Sequence, residues 1–210
     1  MKQLYLSIFL VLIFGYSFSQ SLFYSEEIIG HTWYDLQSNN ACQNRLHVYD
    51  DGTIGAVWTM GMDWSNYPDR GTGYNFYDGL SWQPMPEERI ENDRTGWPSY
   101  APLGENVEIV IAHYSGADTS GLVYSRRDNK GTGDWSFSHF NGPSGHEELL
   151  WPRLVASGVN HENLHLIALT APVDNGGSIY QGLNGALLYS LSTDQGESWD
   201  IQNEILPGMD

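Results

Sequence analysis

The chain has 210 residues, with 26 Asp and Glu against 9 Lys and Arg, and a formal net charge of -17. Such an acidic surface repels phosphate backbones, which argues against nucleic acid as a partner. Cys42 is the single cysteine, so the chain cannot form an internal disulfide. In an exported protein we expect this thiol to be buried, the alternative being a bridge to another polypeptide.

The N-terminal segment has the pattern of a secretory signal peptide. Lys2 precedes an apolar run over residues 4–14, and the small residues Ser17 and Ser19 follow ahead of Gln20. We therefore expect residues 1–19 to be removed and the mature protein to be secreted or held at the cell surface. Loss of Lys2 changes the net charge from -17 to -18. The run is short for a membrane span, so a retained anchor is the less favoured alternative.

The most informative feature of the mature chain is an internal repeat. Similar openings occur at residues 43–46, 97–100 and 151–154, so the pattern recurs at a step of 54 residues. Repeats of about 40 to 50 residues, each with several short strands, are typical of β-propeller blades. The sequence thus predicts an all-β propeller of four-stranded antiparallel blades, with repeats at 43–89, 97–141 and 151–206. Residues 20–42 are expected to form an N-terminal strand segment, in which residues 22–36 supply a strand to a last blade outside this sequence.

The strands themselves are predicted from alternating apolar and polar residues. This period of two, bounded by Gly, Asn and Asp, occurs at residues 53–59, 107–113, 122–126 and 164–170. Closed propellers have about 4 to 8 blades, and this chain has room for three to four. We expect an incomplete ring that is part of a longer protein, with self-association as the less favoured route to closure.

One turn motif recurs near the end of each repeat. Residues 192–199 fit the pattern S-x-D-x-G-x-x-W, in which Asp and Ser side chains bind turn amides, Gly adopts positive φ and Trp buries the turn. Weaker versions occur in the second and first repeats. The residues are Ser192, Asp194, Gly196 and Trp199, then Asp128, Gly131 and Trp135, then Asp78, Gly79 and Trp82. Such a motif holds a hairpin and performs no chemistry.

This motif resembles the Asp-box, or BNR, repeat of the sialidase-like propellers. Together with the leader and the absence of a cysteine framework, the chain also resembles secreted propellers of Bacteroidetes that carry a C-terminal type IX sorting domain. In the sialidase family the Asp-box turns lie away from the substrate face. The resemblance therefore implies a fold more directly than a function.

The candidate ligand-binding residues are three arginines and a tryptophan. Arg45, Ser99 and Arg153 share a column of the repeat on the strand expected nearest the central channel, where guanidinium groups can hold a carboxylate. The alternative is that these arginines pair with the abundant carboxylates of the chain. Arg70 lies in a Gly-rich loop, and Trp64 lies in a polar loop where it can stack on a sugar.

The resemblance also implies catalytic positions. Sialidases hold the sugar carboxylate with three arginines, the first in an Arg-Ile-Pro segment, and Arg45 matches it although His47 replaces the proline. Asp63 is the candidate acid/base, with Asp69 as its rival. The Tyr nucleophile and the third arginine of the family have no assigned counterpart here.

Two classes of function follow from these candidates. The favoured one is an exported module that binds a glycan or an extracellular protein, and the alternative is a sialidase-type exo-glycosidase acting on acidic glycans. No cofactor is predicted. No metal site is predicted either, although residues 161–165 read H-E-x-x-H, because zinc binding through that motif requires a helix and this segment has a turn-and-strand pattern.

Overall fold

A computed structural model describes residues 26–37, 43–114 and 121–209. This part of the chain is all-β, with eleven strands and one short 3-10 turn at Val173–Asn175. The predicted leader and Cys42 lie outside the described residues. The strands are β1 (Leu46–Val48), β2 (Ile54–Met60), β3 (Gly71–Tyr77), β4 (Thr95–Leu103), β5 (Val107–Tyr114), β6 (Leu122–Arg127), β7 (Ser136–Phe140), β8 (Leu149–Ser157), β9 (Asn163–Thr170), β10 (Leu187–Ser192) and β11 (Ile201–Ile205).

The strands form three antiparallel sheets in chain order. The first sheet contains β1 to β3, the second β4 to β7 and the third β8 to β11, and each strand pairs with its neighbours in sequence. The alternating segments predicted at 53–59, 107–113, 122–126 and 164–170 correspond to β2, β5, β6 and β9. The all-β class and these strands are confirmed.

The first sheet differs from the prediction of four strands. After β3 the chain turns back, so that Trp82 bridges Tyr77 and the Gln83 N–H donates to the Phe76 carbonyl at 2.9 Å. Pro84 and Pro86 follow directly. Since proline has no N–H to donate, these residues stop the ladder after one bridge. The fourth strand predicted for the first repeat is therefore absent from the described structure.

In the N-terminal segment, residues 26–37 contain no strand. They lie against the first sheet and bind it at separate points. The Trp33 N–H donates to the Gly61 carbonyl at 2.9 Å, and the Asn75 amide donates to the Ile29 carbonyl at 2.6 Å. These separate backbone and side-chain hydrogen bonds take the place of a regular ladder.

Two hydrophobic cores hold the sheets together. The first and second sheets enclose a cluster that includes Val57, Tyr74 and Tyr100. The second and third sheets enclose a larger cluster around Ile111 and Leu154, both fully buried. The sheets thus pack face to face in chain order.

A repeated bulge ties neighbouring sheets together. Trp97 and Trp151 both have φ near 50°, and each precedes a proline where the register of β4 or β8 shifts. Proline is tolerated in a strand at such bulges. The Trp97 N–H donates to the Thr59 hydroxyl and the Trp151 N–H donates to His113 Nδ1, both at 3.3 Å. Each bulge therefore bonds to the sheet that precedes it.

Candidate functional site

Three aromatic side chains lie together beside the first sheet and are called here the aromatic surface: the exposed Trp33 and Trp64 and the half-buried Tyr67. The Trp33 and Trp64 rings meet edge to face at 5.8 Å, and the Trp64 and Tyr67 ring centroids are 6.4 Å apart. Trp33 is 58% exposed and Trp64 is 72% exposed. Large aromatic rings exposed side by side are unusual unless they contact a ligand or partner.

The loop between β2 and β3 carries two of these rings in a defined conformation. The Asp69 carboxylate accepts the N–H groups of Met62 at 2.6 Å and Asp63 at 3.0 Å, and Asp63 Oδ1 accepts the Ser65 N–H at 3.0 Å. Tyr67 has a left-handed backbone with φ of 50°. Asp63 and Asp69 therefore hold the turn that presents Trp64 and Tyr67.

Trp33 reaches the same surface from the N-terminal segment. The Thr32 hydroxyl accepts the Gly61 N–H at 3.0 Å, and the Tyr67 hydroxyl donates to the Trp33 carbonyl at 3.1 Å. Trp33 and Tyr67 are not among the candidate residues predicted from the sequence. Neither residue belongs to the repeated pattern, so the repeat does not indicate them. The remaining signal in the sequence was composition, a Trp-Tyr pair among polar residues.

Arg70 lies below this loop and is buried. Its Nε donates to the Thr95 carbonyl at 2.8 Å, and its guanidinium carbon lies 5.3 Å from the Tyr34 ring centroid and 5.2 Å from that of Trp97. Tyr34 also packs edge to face on Tyr67 at 5.2 Å. Burial lowers the pKa of Arg70, and the neighbouring Arg94 lowers it further. Arg70 supports the aromatic surface from within rather than forming part of it.

Arg45 and Arg153 bond to nearby carbonyl groups. Arg45 donates to the Gln37 carbonyl and to Gln43 Oε1, the latter at 3.2 Å. Arg153 donates to the Trp151 carbonyl at 2.9 Å. Of the sequence-predicted residues, the structure brings Asp63, Trp64, Asp69 and Arg70 together around one loop. Arg45 is joined to the N-terminal segment through Gln37, and Arg153 belongs to the third sheet.

The third-repeat turn forms a local network of hydrogen bonds. Asp194 accepts bonds from the Ser198 N–H at 2.9 Å and the Ser198 hydroxyl at 2.6 Å, while the Ser192 hydroxyl accepts the Gly196 N–H at 2.8 Å. The bonds from Ser198, followed by that from Ser192, lower the pKa of Asp194 to about 2. Trp199 packs on Phe140 of the second sheet at 4.7 Å.

The turns of the other repeats are built in a related way. Asp128 accepts a bond from Arg126 at 3.0 Å, and Trp135 packs on Tyr74 of the first sheet at 5.4 Å. Gly131 and Gly79 both have positive φ, and Trp82 packs on Tyr77 at 5.7 Å. Asp78 Oδ1 accepts the N–H groups of Leu80 and Ser81 at 2.8 Å.

The aromatic surface and these turns lie at opposite ends of the strands. In an antiparallel sheet of sequential strands, successive loops alternate between the two ends. The loop between β2 and β3 therefore lies at the end opposite the turn that follows β3. The exposed rings are thus kept apart from the turns that hold the hairpins.

The H-E-x-x-H segment is a turn followed by β9, as the sequence predicts. His161 has φ of 53° in the turn, and His165 lies in β9. His165 is hydrogen-bonded through Nε2 to Ser157 and through Nδ1 to Tyr189, both at 2.8 Å. In the described ranges there is no group of three or more His, Cys, Asp or Glu side chains arranged to hold a metal ion.

Comparison with known proteins gave no family model and no curated protein that matches this chain. Within the part of the chain that the structure covers, none of the helical segments is long and apolar enough to cross a membrane.

Proposed function

We propose that this chain is an exported propeller of the sialidase-like type that binds glycan through the aromatic surface without cleaving it. The exposure of Trp33 on the N-terminal segment and of Trp64 on the loop between β2 and β3, with their rings in contact, carries the proposal. The 54-residue repeat, the three sequential sheets and the Asp-Gly-Trp turns support the propeller architecture. The leader supports secretion or display at the cell surface.

The aromatic surface has the properties that sugar recognition requires. The rings offer apolar faces, and burying such rings dominates the energy of many interfaces. Because Asp69 and Asp63 already hold the loop, little conformational entropy is lost on binding. The net charge of -17 disfavours an anionic ligand. A neutral glycan, exposing one face of its pyranose rings, fits these properties best.

The first prediction concerns Trp64. In calorimetric titration of the full chain with neutral oligosaccharides, we expect Trp64→Ala to weaken binding about tenfold, which corresponds to about 1.4 kcal/mol of lost stacking. Trp64→Phe should retain most of the affinity because it keeps an aromatic face. Leu80→Ala is the matched control, since Leu80 is 91% exposed at the other end of the first sheet. Equal affinities for Trp64→Ala and the unmodified chain would refute the proposed surface.

The same samples test the hydrolase alternative. In that alternative Arg45 and Arg153 hold a sugar carboxylate and Asp63 acts as acid/base. Both arginines already donate to carbonyl groups of the protein, which favours a supporting role for them. We expect no fluorophore release from a fluorogenic sialoside. Release that disappears in Arg45→Ala would instead establish the hydrolase.

A further inference from the structure

The third sheet has an apolar face that no other described segment covers. This third-sheet face consists of partly exposed side chains on β8, β9 and β10, of which Val155 is 50% exposed. Cross-strand pairing places its members on one side of the sheet, opposite the core residues Leu154 and Leu166. Its apolar members are Val155, Ile167, Leu169, Leu187, Tyr189 and Leu191.

The same face is an interface in the other two sheets. Val57 pairs with Tyr74 in the first sheet, and Ile111 pairs with Tyr124 in the second; all four side chains are at most 8% exposed. The third sheet has the corresponding pair of Ile167 and Tyr189, and both side chains are partly exposed. The third sheet thus keeps the residues with which each earlier sheet packs against its successor.

Among the described residues, the tyrosine of this pair contacts the following sheet in the first and second sheets, but not in the third. The Tyr74 hydroxyl crosses to the second sheet and donates to Glu108 at 2.9 Å, while Tyr124 fills the space beside Gly196 of the third sheet. The Tyr189 hydroxyl is bonded to His165 of its own sheet. No described residue of a following sheet meets it.

The first sheet has the complementary face. Leu46, Tyr100 and Leu154 occupy one column of the repeat, where Tyr100 and Leu154 are 2% and 0% exposed because the preceding sheet covers them. Leu46 is 56% exposed. It lines an apolar groove of about 420 Å³ together with Ala56 and Trp58 of β2, and the N-terminal segment forms the other wall of this groove through Ile29 and Gly30. Leu46, Val48, Ala56 and this groove are called here the first-sheet face.

The glycines of the repeated turns also show that one side of the first sheet is uncovered. A side chain at Gly131 would collide with Phe76 of the preceding sheet, and one at Gly196 would collide with Tyr124. The corresponding Gly79 has no neighbour within 4 Å of the position that a Cβ would take. One chain therefore carries both halves of an interface that it already forms twice internally.

We propose that the third-sheet face of one copy packs on the first-sheet face of a second copy of this chain. A second copy is the occupant because it supplies the apolar column, the groove and the open space beside Gly79 in one surface. Two such contacts related by a twofold axis close a ring of six sheets, within the range of about 4 to 8 blades in propellers.

The experiment is to measure the mass of the leaderless full chain by light scattering during size-exclusion chromatography at micromolar concentration. We expect twice the chain mass. Ile167→Asp on the third-sheet face and Leu46→Asp on the first-sheet face should each give a folded monomer. Val159→Asp should remain a dimer, since Val159 is 95% exposed in the turn between β8 and β9. Circular dichroism of each variant checks that the sheets are retained.

Each other outcome overturns the proposal. If the unmodified chain is a monomer, the third-sheet face packs on a different polypeptide segment and not on a second copy. A dimer that survives Ile167→Asp uses another surface. A dimer broken by Ile167→Asp but not by Leu46→Asp pairs like faces, and the first-sheet face then has no part in it.

Discussion

At the scale of single residues, His113 is a buried titratable group near the candidate site. It is 4% exposed, stacks on Trp97 at 4.8 Å and accepts the Trp151 N–H through Nδ1. Burial lowers its pKa to about 3, with Arg70 and Arg94 adding to the effect. The ring is therefore neutral in the folded protein over a wide range of pH.

A pH-dependent stability follows from this residue. Between about pH 6.5 and about pH 3 the unfolded chain binds a proton at His113 that the folded chain does not bind. The free energy of unfolding is therefore not reduced by this group above about pH 6.5, and it decreases as the pH falls through this range. One such proton contributes a slope of about 1.4 kcal/mol per pH unit.

The measurement is the free energy of unfolding in urea at several pH values between 7.5 and 4. His113→Gln keeps an acceptor for the Trp151 N–H. We expect it to lower the pH slope of the free energy of unfolding by up to about 1.4 kcal/mol per pH unit, the contribution of one proton. His31→Gln is the control because His31 is exposed. Identical slopes for His113→Gln and the unmodified chain would show that another group controls the pH dependence.

At the scale of the sheets, a buried ion pair between β5 and β6 of the second sheet binds Tyr74 of the first sheet. Glu108 is fully buried and accepts bonds from Arg127, from the Tyr74 hydroxyl at 2.9 Å and from the Tyr100 hydroxyl at 2.6 Å. The Arg127 guanidinium lies 4.5 Å from the ring centroids of both Tyr74 and Trp135. This network links the second-repeat turn to the sheet before it.

Removing one partner of this pair should be costly. We expect Arg127→Met to destabilise the fold by about 3 to 5 kcal/mol, because it leaves the Glu108 carboxylate buried without its counter-charge. The double variant Glu108→Gln, Arg127→Met should be more stable than Arg127→Met alone. Guanidinium unfolding of both variants measures this coupling. A loss below about 1 kcal/mol in the single variant would mean that the pair contributes little to the sheet interface.

The sheets and the candidate site differ in how far the sequence predicts them. Strands β5 and β9 were predicted to within one residue, and in β9 the period-two alternation of the sequence corresponds to burial on one face. The missing fourth strand of the first sheet was not foreseen, since the effect of Pro84 and Pro86 depends on the pairing partner. Trp64 was predicted as a contact residue, whereas Trp33 joins it only through contacts between segments 31 positions apart.

At the scale of the whole molecule, the residues that pack the sheets together and the residues of the aromatic surface lie at opposite ends of the strands. The Asp-Gly-Trp turns hold each sheet against its predecessor at one end of the strands, as Trp135 on Tyr74 and Trp199 on Phe140 illustrate. The opposite end of the first sheet is free to carry the loop with Trp64. Residues that stabilise packing and residues available for binding are therefore placed at different ends of the same strands.

The last prediction concerns residues 1–19, which are expected to direct export of the chain. If residues 1–19 are a leader, expression of the whole chain in a bacterium with a periplasm should yield an exported polypeptide whose first residue is Gln20. Peptide sequencing of the exported fraction tests this start. Leu10→Arg places a charge in the apolar run of residues 4–14, so we expect it to hold the chain in the cytoplasm with Met1 present. Leu36→Arg, a similar change outside the run, should leave export intact. An unmodified chain that stays in the cytoplasm would refute both the leader and the proposed role outside the cell.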